Sequence, residues 1–253
     1  LVALPAEEKY GMLWVRPTPD GDPINVDAAM GGLGIEIENW DIASHPYVEE
    51  QTLEANINWK LAIDTFGENY HFDFLHKGTL APQIYGNLQT SQAFDNNYRM
   101  VFASKTNFDQ IVEHMPEEEW PYRYMTLNVY FIYPNTIFLV DAIGLDLLRM
   151  YPDPKDPGKS KTHHRYYANP EMVNYLEKQR EETGENHEPE SRFVGFNEIV
   201  VDEDYAMAEL TQLGASSGAQ THYWFGRNEP ALQHYHNVHR KGVGLPELEV
   251  IES

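Results

Sequence analysis

The chain has 253 residues, 42% of them hydrophobic, enough to bury the core of one large domain or two small ones. With 40 Asp and Glu against 18 Lys and Arg the formal net charge is −22, which repels nucleic-acid phosphates and anionic lipid heads and excludes both as partners. The absence of Cys excludes disulfides, thiolate nucleophiles, zinc ribbons and Cys-ligated clusters within these residues, so any metal must sit on His and carboxylates.

No apolar run approaches the ~20 residues that span a bilayer, and a soluble, cytoplasmic chain is expected. Tyr10–Val15 reads as a buried strand with no element before it to pair with. Pro17–Pro23 is turn-rich, and Ala28–Gly34 starts a short helix or a loop. From Glu54 to about His76 a strand end gives way to a helix, with Trp59, Ala62, Ile63, Phe66 and Tyr70 at helical spacing. Tyr124–Tyr167 then alternates as strands do, Met125, Leu127, Val129 and Phe131 against Thr126, Asn128 and Tyr130. Breaks at Pro134-Asn135, Ala142–Gly144 and Pro152–Gly158 divide it into an antiparallel meander of three or four strands with one face on a core.

Pro170 to about Glu182 follows as a helix and Thr183–Glu190 as a polar loop. A longer helix runs from Ser191, its cap, to Leu213, with Gly214 ending it, and Pro230–Lys241 makes the last. Strands followed by helices give an α+β class, a curved antiparallel sheet gripping a long C-terminal helix.

The stretch Asp64-Thr-Phe-Gly-Glu-Asn-Tyr-His-Phe-Asp-Phe-Leu-His76 carries the chemistry. Five residues of straight helix turn ~500°, so His71 and His76 would point ~140° apart and share one metal only if the helix ends or bulges between them. Glu68, three before His71, lies on the same face and reaches it by hydrogen bond. Downstream, Val200-Val-Asp-Glu-Asp-Tyr-Ala-Met-Ala-Glu-Leu-Thr-Gln212 offers a carboxylate among apolar helical neighbours. Asp204 has Val200, Val201, Met207 and Ala208 around it; Glu203 has Ile199, Val200, Ala206 and Met207; Asp202 shares its face with the charged Glu198. A buried carboxylate must be paired or metal-bound, and this test leaves both Asp204 and Glu203 open.

His234, His236 and His239 have no carboxylate with a matching role, and His163 and His164, adjacent in a strand, face opposite ways. Neither set reads as a metal cluster. The acidic stretches Glu117–Glu119 and Glu177–Glu190 read as solvated surface.

Asn58-Trp-Lys60, Asp64, Glu68-Asn-Tyr-His71 and Leu75-His76 together resemble the signature N-W-K…(D/E)-x-x-H-x4-H of the Rieske non-haem iron, aromatic-ring-hydroxylating oxygenase α subunits. Glu203-Asp204…Met207…Glu209…Gln212 resembles that family's E-D-x-x-L-x-E-x-x-Q segment, and likeness extends through Val129–Phe138 and Leu148–Pro152. Asp64-Thr65 departs from the acidic residue and Asn that relatives carry beside the pocket.

The resemblance implies a helix-grip fold of the START/Bet v 1 kind. It also implies that residues 1–253 form the mononuclear-iron catalytic domain, the N-terminal Rieske [2Fe-2S] domain not being part of this chain. It makes His71, His76 and Asp204 the iron(II) ligands, a facial triad that leaves positions open for dioxygen. Glu68 becomes the catalytic bridge to the Rieske cluster of a neighbouring subunit in a homotrimer. Electrons would come from a ferredoxin or reductase, and the substrate would be a small aromatic or other apolar compound, with Phe66 and Phe72 as pocket wall. The reaction implied is dihydroxylation or monohydroxylation, sometimes with dealkylation. The rival expectation is a metal-free helix-grip module for an apolar ligand. A zinc hydrolase has less support, since neither H-E-x-x-H nor H-x-x-E-H occurs.

Overall fold

The structure, a computed structural model, describes residues 1–106, 108–183 and 191–250. At its centre is a seven-stranded sheet in the order β3-β9-β8-β7-β6-β5-β4, formed by β3 (Tyr47–Ala55), β4 (Ile84–Phe94), β5 (Asn97–Ser104), β6 (Thr126–Ile132), β7 (Thr136–Val140), β8 (Gly144–Pro152) and β9 (Ser160–Ala168). Every neighbouring pair is antiparallel. The predicted meander is β6 to β9, in sequence order. The edge strands β3 and β4 escape a hydrophobic reading because their sequences, Tyr-Val-Glu-Glu-Gln-Thr-Leu-Glu-Ala and Ile-Tyr-Gly-Asn-Leu-Gln-Thr-Ser-Gln-Ala-Phe, are largely polar. Polar side chains on an edge discourage pairing with another chain.

The sheet is buried on both faces at its centre, where one was expected. Val129, Phe131, Ile137, Leu139, Leu148 and Met150 enter the core under the C-terminal helices. Their alternates Tyr130, Ile132, Phe138, Val140 and Leu145 pack instead against Val26, Met30, Leu33 and Ile37. Those four belong to α1 (Val26–Met30) and α2 (Leu33–Asn39), short helices in the segment where the sequence left helix or loop undecided. Tyr10–Val15 is not a lone buried strand: β2 (Met12–Val15) pairs with β1 (Ala6–Lys9), and Leu13 and Val15 are exposed. Tyr10 and Gly11 make the connecting turn, both with positive φ (54° and 73°), as a tight hairpin requires.

On the other face lie α3 (Trp59–Asp64) and the helices that close the chain. The small helices α4 (Phe108–His114) and α5 (Tyr122–Met125) precede β6, and α6 (Pro170–Thr183) follows β9. Of the expected polar loop, 184–190 lies outside the described residues. The long helix begins as α7 (Arg192–Phe196), with the Ser191 hydroxyl accepting from Phe193 N, passes through a π-helical stretch Asn197–Tyr205, and continues as α8 (Ala206–Ser216). It runs past Gly214; the left-handed residue that follows it is Gly218, with φ 72°. The last helix, α9, is Pro230–Gly242. The result is the expected α+β arrangement of a curved antiparallel sheet gripping a long helix. No helix among the described residues is long and apolar enough to cross a membrane.

Candidate metal centre

The helix expected over His71 and His76 ends before either. α3 stops at Asp64, with Asn58 as its cap accepting from Lys60 N, and the chain continues in successive turns. Gly67 sits where a Cβ would lie 2.1 Å from Leu232 Cδ2, so glycine lets this segment pass beneath α9 without displacing the Leu232 side chain. Leu75 N donates to His71 O at 2.7 Å and His76 N to Phe72 O at 3.1 Å. These turns remove the ~140° divergence that a straight helix would impose, and the two imidazoles meet with Nε2 atoms 3.1 Å apart.

Asp204 Oδ1 completes a triangle, 3.5 Å from His71 Nε2 and 3.2 Å from His76 Nε2. Three donors at ~2.1 Å and right angles around one ion are separated by ~3.0 Å, close to these edges. Each imidazole is held in a single orientation from behind. His71 Nδ1 donates to Glu68 Oε1, and Glu68 Oε2 also accepts from His71 N at 3.2 Å. His76 Nδ1 donates to Glu203 Oε2 at 2.6 Å, where the Thr79 hydroxyl also donates at 2.7 Å. With both Nδ1 protons given to carboxylates, both Nε2 lone pairs face Asp204 Oδ1, three electron-rich atoms converging on one point. Such a cluster is stable only around a positive charge. Burial lowers the proton affinity of His71, yet Asp204 and Glu68 override it and raise its pKa to about 9; His76 is raised in the same sense by Asp204 and Glu203. A metal ion would replace that proton. Among the described residues, these three are the group of ligating side chains that can hold one.

Asp204 lies near the end of the π-helical stretch. Of its helical neighbours expected from the sequence, Val200 and Ala208 are buried with it while Met207 is 48% exposed, and Asp204 itself is 6% exposed. Within this wider winding the consecutive residues Glu203 and Asp204 face opposite nitrogens of His76. Polar clamps hold the helix on either side. Before the wide turn, Arg192 Nη2 donates to Asp141 Oδ2 and Asp146 Oδ2, each at 2.8 Å, and Asn197 Oδ1 accepts from Gln51 at 3.0 Å. After it, Glu209 Oε1 accepts from Asn56 N at 3.1 Å, and Gln212 accepts from Asn58 N while donating to Gly158 O at 2.8 Å. A cavity of about 540 Å³ opens beside the three donors, of a size that takes a small molecule, and Phe66 and Phe72 are among its lining.

The family model for the ring hydroxylating alpha subunit (catalytic domain) matches residues 42–244. The chain belongs to this family. No curated protein matches it by sequence. Among solved structures, this ring-hydroxylating alpha-subunit domain is similar to a quaternary ammonium Rieske monooxygenase described for carnitine oxidation and inter-subunit electron transfer (TM-score 0.62, 13% identity), covering 95% of this chain and 61% of that one. It is also similar to the enzyme CntA in complex with L-carnitine (TM-score 0.61, 15% identity, 95% of this chain and 60% of that one). Dicamba monooxygenase bound to dicamba gives a TM-score of 0.50 at 10% identity, over 95% of this chain and 70% of that one. At these identities the likeness carries the fold, the helix-grip arrangement. The chain spans about three-fifths of the first two structures.

In this alpha-subunit domain the residues singled out in the sequence fall together: His71, His76 and Asp204 converge on one point, Glu68 backs His71 from its Nδ1 side, and Phe66 and Phe72 line the adjoining cavity. The choice left between Asp204 and Glu203 has a geometric counterpart, Asp204 facing both Nε2 atoms and Glu203 the Nδ1 of His76 alone. Among the described residues the other histidines form no such group. His236 pairs with Asp64 at 3.0 Å, His239 bridges the Tyr235 and Pro134 carbonyls, His163 meets Thr52, and His164 is buried against Asp146 at 2.8 Å. Thr79 and the Arg192 clamp gave no sequence signal, because nothing local marks a partner more than 40 residues away.

Proposed function

We propose that this chain is the mononuclear-iron catalytic domain of an oxygenase that hydroxylates an aromatic or similarly apolar compound, inserting one or both atoms of dioxygen. The convergence of His71 Nε2, His76 Nε2 and Asp204 Oδ1 carries the reading. These residues would hold iron(II), which, when bound, supplies the dioxygen-activating chemistry. The protein's own part is placement. Glu68 and Glu203 fix the imidazoles and raise their basicity. Phe66, Phe72 and Phe102 bound the reacting end of the cavity and exclude water from it.

Having no Cys, the 253 residues hold no Rieske cluster of their own. Electrons would enter from a [2Fe-2S] cluster outside them, fed by a ferredoxin or reductase. Glu68, against His71 and 13% exposed, is the proposed point of entry. The inter-subunit electron transfer described for one similar structure supports the same route here, in a head-to-tail homotrimer.

Metal analysis of the purified chain after anaerobic loading should find about one iron per chain, and none in His71→Ala or His76→Ala. Equal metal content in all three would sink the iron assignment and favour a metal-free binding module.

A further inference from the structure

The charged groups around the cavity are all engaged. His71 and His76 turn their Nε2 atoms to Asp204, and Glu68 accepts from His71. Further along, Arg192 is held by Asp141 and Asp146, and Asp141 Oδ1 also accepts from Ile143 N and Gly144 N at 2.8 and 3.0 Å. Arg123 stacks its guanidinium 4.9 Å from the centre of the Trp40 ring, which packs with Tyr130 on the opposite face of the sheet. Among the described residues, no charged group of the lining is left over to meet a charged ligand. The neutral polar side chains are mostly committed too. Thr65 Oγ1 donates to Ala62 O at 3.0 Å, Gln83 Nε2 to Thr79 O at 3.1 Å, Tyr124 Oη to Glu171 Oε2 at 2.7 Å and Thr126 Oγ1 to Tyr122 O at 2.7 Å. Thr106, beyond the end of β5, is exposed.

Ser104 is the exception. It is half-buried in the cavity lining, and among the described residues no group bonds its Oγ, which is not sealed within the core. Two independent registers place its side chain on the cavity side of the sheet. Along β5 it follows Met100 and Phe102 at every second position, and both of those enter the core under the C-terminal helices. Across the sheet it pairs with Ile84, and directly opposed residues of an antiparallel pair carry their side chains on one face. Ile84 belongs to the same core and lines the same cavity.

An aromatic row leads to Ser104 from the metal donors. The Phe72 ring lies 4.9 Å from that of His71 and 5.7 Å from that of His76, and Phe102 meets Phe72 edge to face at 5.6 Å. Ser104 is two residues, about 7 Å, further along the strand. The apolar wall thus ends at a half-buried hydroxyl free to donate and to accept.

Resting on the reading of this cavity as the substrate chamber, we infer that the substrate is uncharged and carries an oxygen substituent, a hydroxyl or carbonyl, that hydrogen-bonds Ser104 while its apolar body lies along Phe102 and Phe72 towards the metal donors. Ser104 is then a specificity-determining residue. An ionic head group would lose its hydration here with no counter-charge to replace it.

The test is equilibrium dialysis of the iron-loaded chain with four probes of similar shape: phenylhexanol, heptylbenzene, phenylhexylamine and phenylhexanoate. The alcohol should bind about tenfold tighter than the amine and the acid, or more. Ser104→Ala should weaken the alcohol by about 3- to 10-fold, as loss of one neutral hydrogen bond predicts, and leave heptylbenzene within about twofold. Ser104→Cys, close in shape but a far weaker hydrogen-bonding group, should behave as Ser104→Ala does. A charged probe that binds as tightly as the alcohol, an alcohol affinity unchanged in both variants, an equal loss for alcohol and hydrocarbon, or no binding of the alcohol would each overturn the inference. Iron measured on the same samples separates the two claims. A chain without iron refutes the proposed oxygenase, whereas an iron-loaded chain whose alcohol affinity ignores Ser104 refutes this substrate assignment alone.

Discussion

Truncating Glu203 to Ala should weaken iron binding without abolishing it. His76 is wholly buried, and Glu203 Oε2 is the acceptor for its Nδ1 at 2.6 Å and for the Thr79 hydroxyl at 2.7 Å. The hydroxyl can rotate to another acceptor, but the imidazole cannot turn without moving Nε2 off the metal point. The loss is therefore that of one orphaned buried donor, about 1–3 kcal/mol. At 1.4 kcal/mol per decade this is roughly 5- to 150-fold in affinity, overlapping the ~10–100-fold cost typical of removing the outer partner of a metal-binding imidazole. Anaerobic titration of the metal-free chain with ferrous iron against a competing chromogenic chelator reads that range directly. Asp204→Ala, which removes a donor atom, should bind no stoichiometric iron in the same assay. If Glu203→Ala loses iron as completely as Asp204→Ala, the assignment of the two carboxylates is wrong; wild-type affinity in Glu203→Ala would show that its contact with His76 is idle.

Glu68→Gln in the full-length protein should keep most of its iron, within ~10–100-fold in affinity, while reductase-driven turnover collapses and hydrogen peroxide restores some product; undiminished turnover would take Glu68 off the electron path. Asp146→Asn should cost about 3–5 kcal/mol at neutral pH, because it leaves the buried His164 and the half-buried Arg192 without their shared carboxylate. Burial raises the Asp146 pKa, but Arg192 and His164 override it and hold it below the ordinary value. Its contribution is thus complete above the unfolded pKa of about 3.9 and is lost as pH falls through the folded one. The melting-temperature gap between wild type and Asp146→Asn should accordingly narrow below about pH 4; a gap independent of pH would refute the linkage. The full-length protein should sediment as a trimer at micromolar concentration, and a monomer would count against electron entry from a neighbour.

The site was legible in the sequence to the extent that its chemistry is local. His71 and His76 stand out because Glu68 and the Asn58-Trp-Lys60 turn lie close by in the chain, and the E-D pair at 203–204 because it fits the family's E-D-x-x-L-x-E-x-x-Q segment with apolar residues at its helical neighbours. Geometry was not legible. Helical spacing placed His71 and His76 on a helix that ends at Asp64, and it could not choose between Asp204 and Glu203, because a π-helical turn leaves no periodic mark in nine residues. The meander β6–β9 was visible through its apolar alternation. β3 and β4 were not, since edge strands bury little and their side chains are mostly polar. Burial of the second sheet face was hidden because the helices responsible are five and seven residues long, too short to show a period.

The helix that carries Asp204 is pinned in rotation as well as in position. Arg192 and Asn197 fix its azimuth before the wide turn, and Glu209 and Gln212 fix it after. A helix advances by ~100° per residue, so the residue count between two pinned points is as strict a quantity as the identity of the carboxylate between them. Removing one residue from Asn197–Tyr205 would force the chain to release a clamp or to swing Asp204 away from the imidazoles, whereas many substitutions there would leave the phase intact. Over this stretch the protein tolerates changes of letter far better than changes of length.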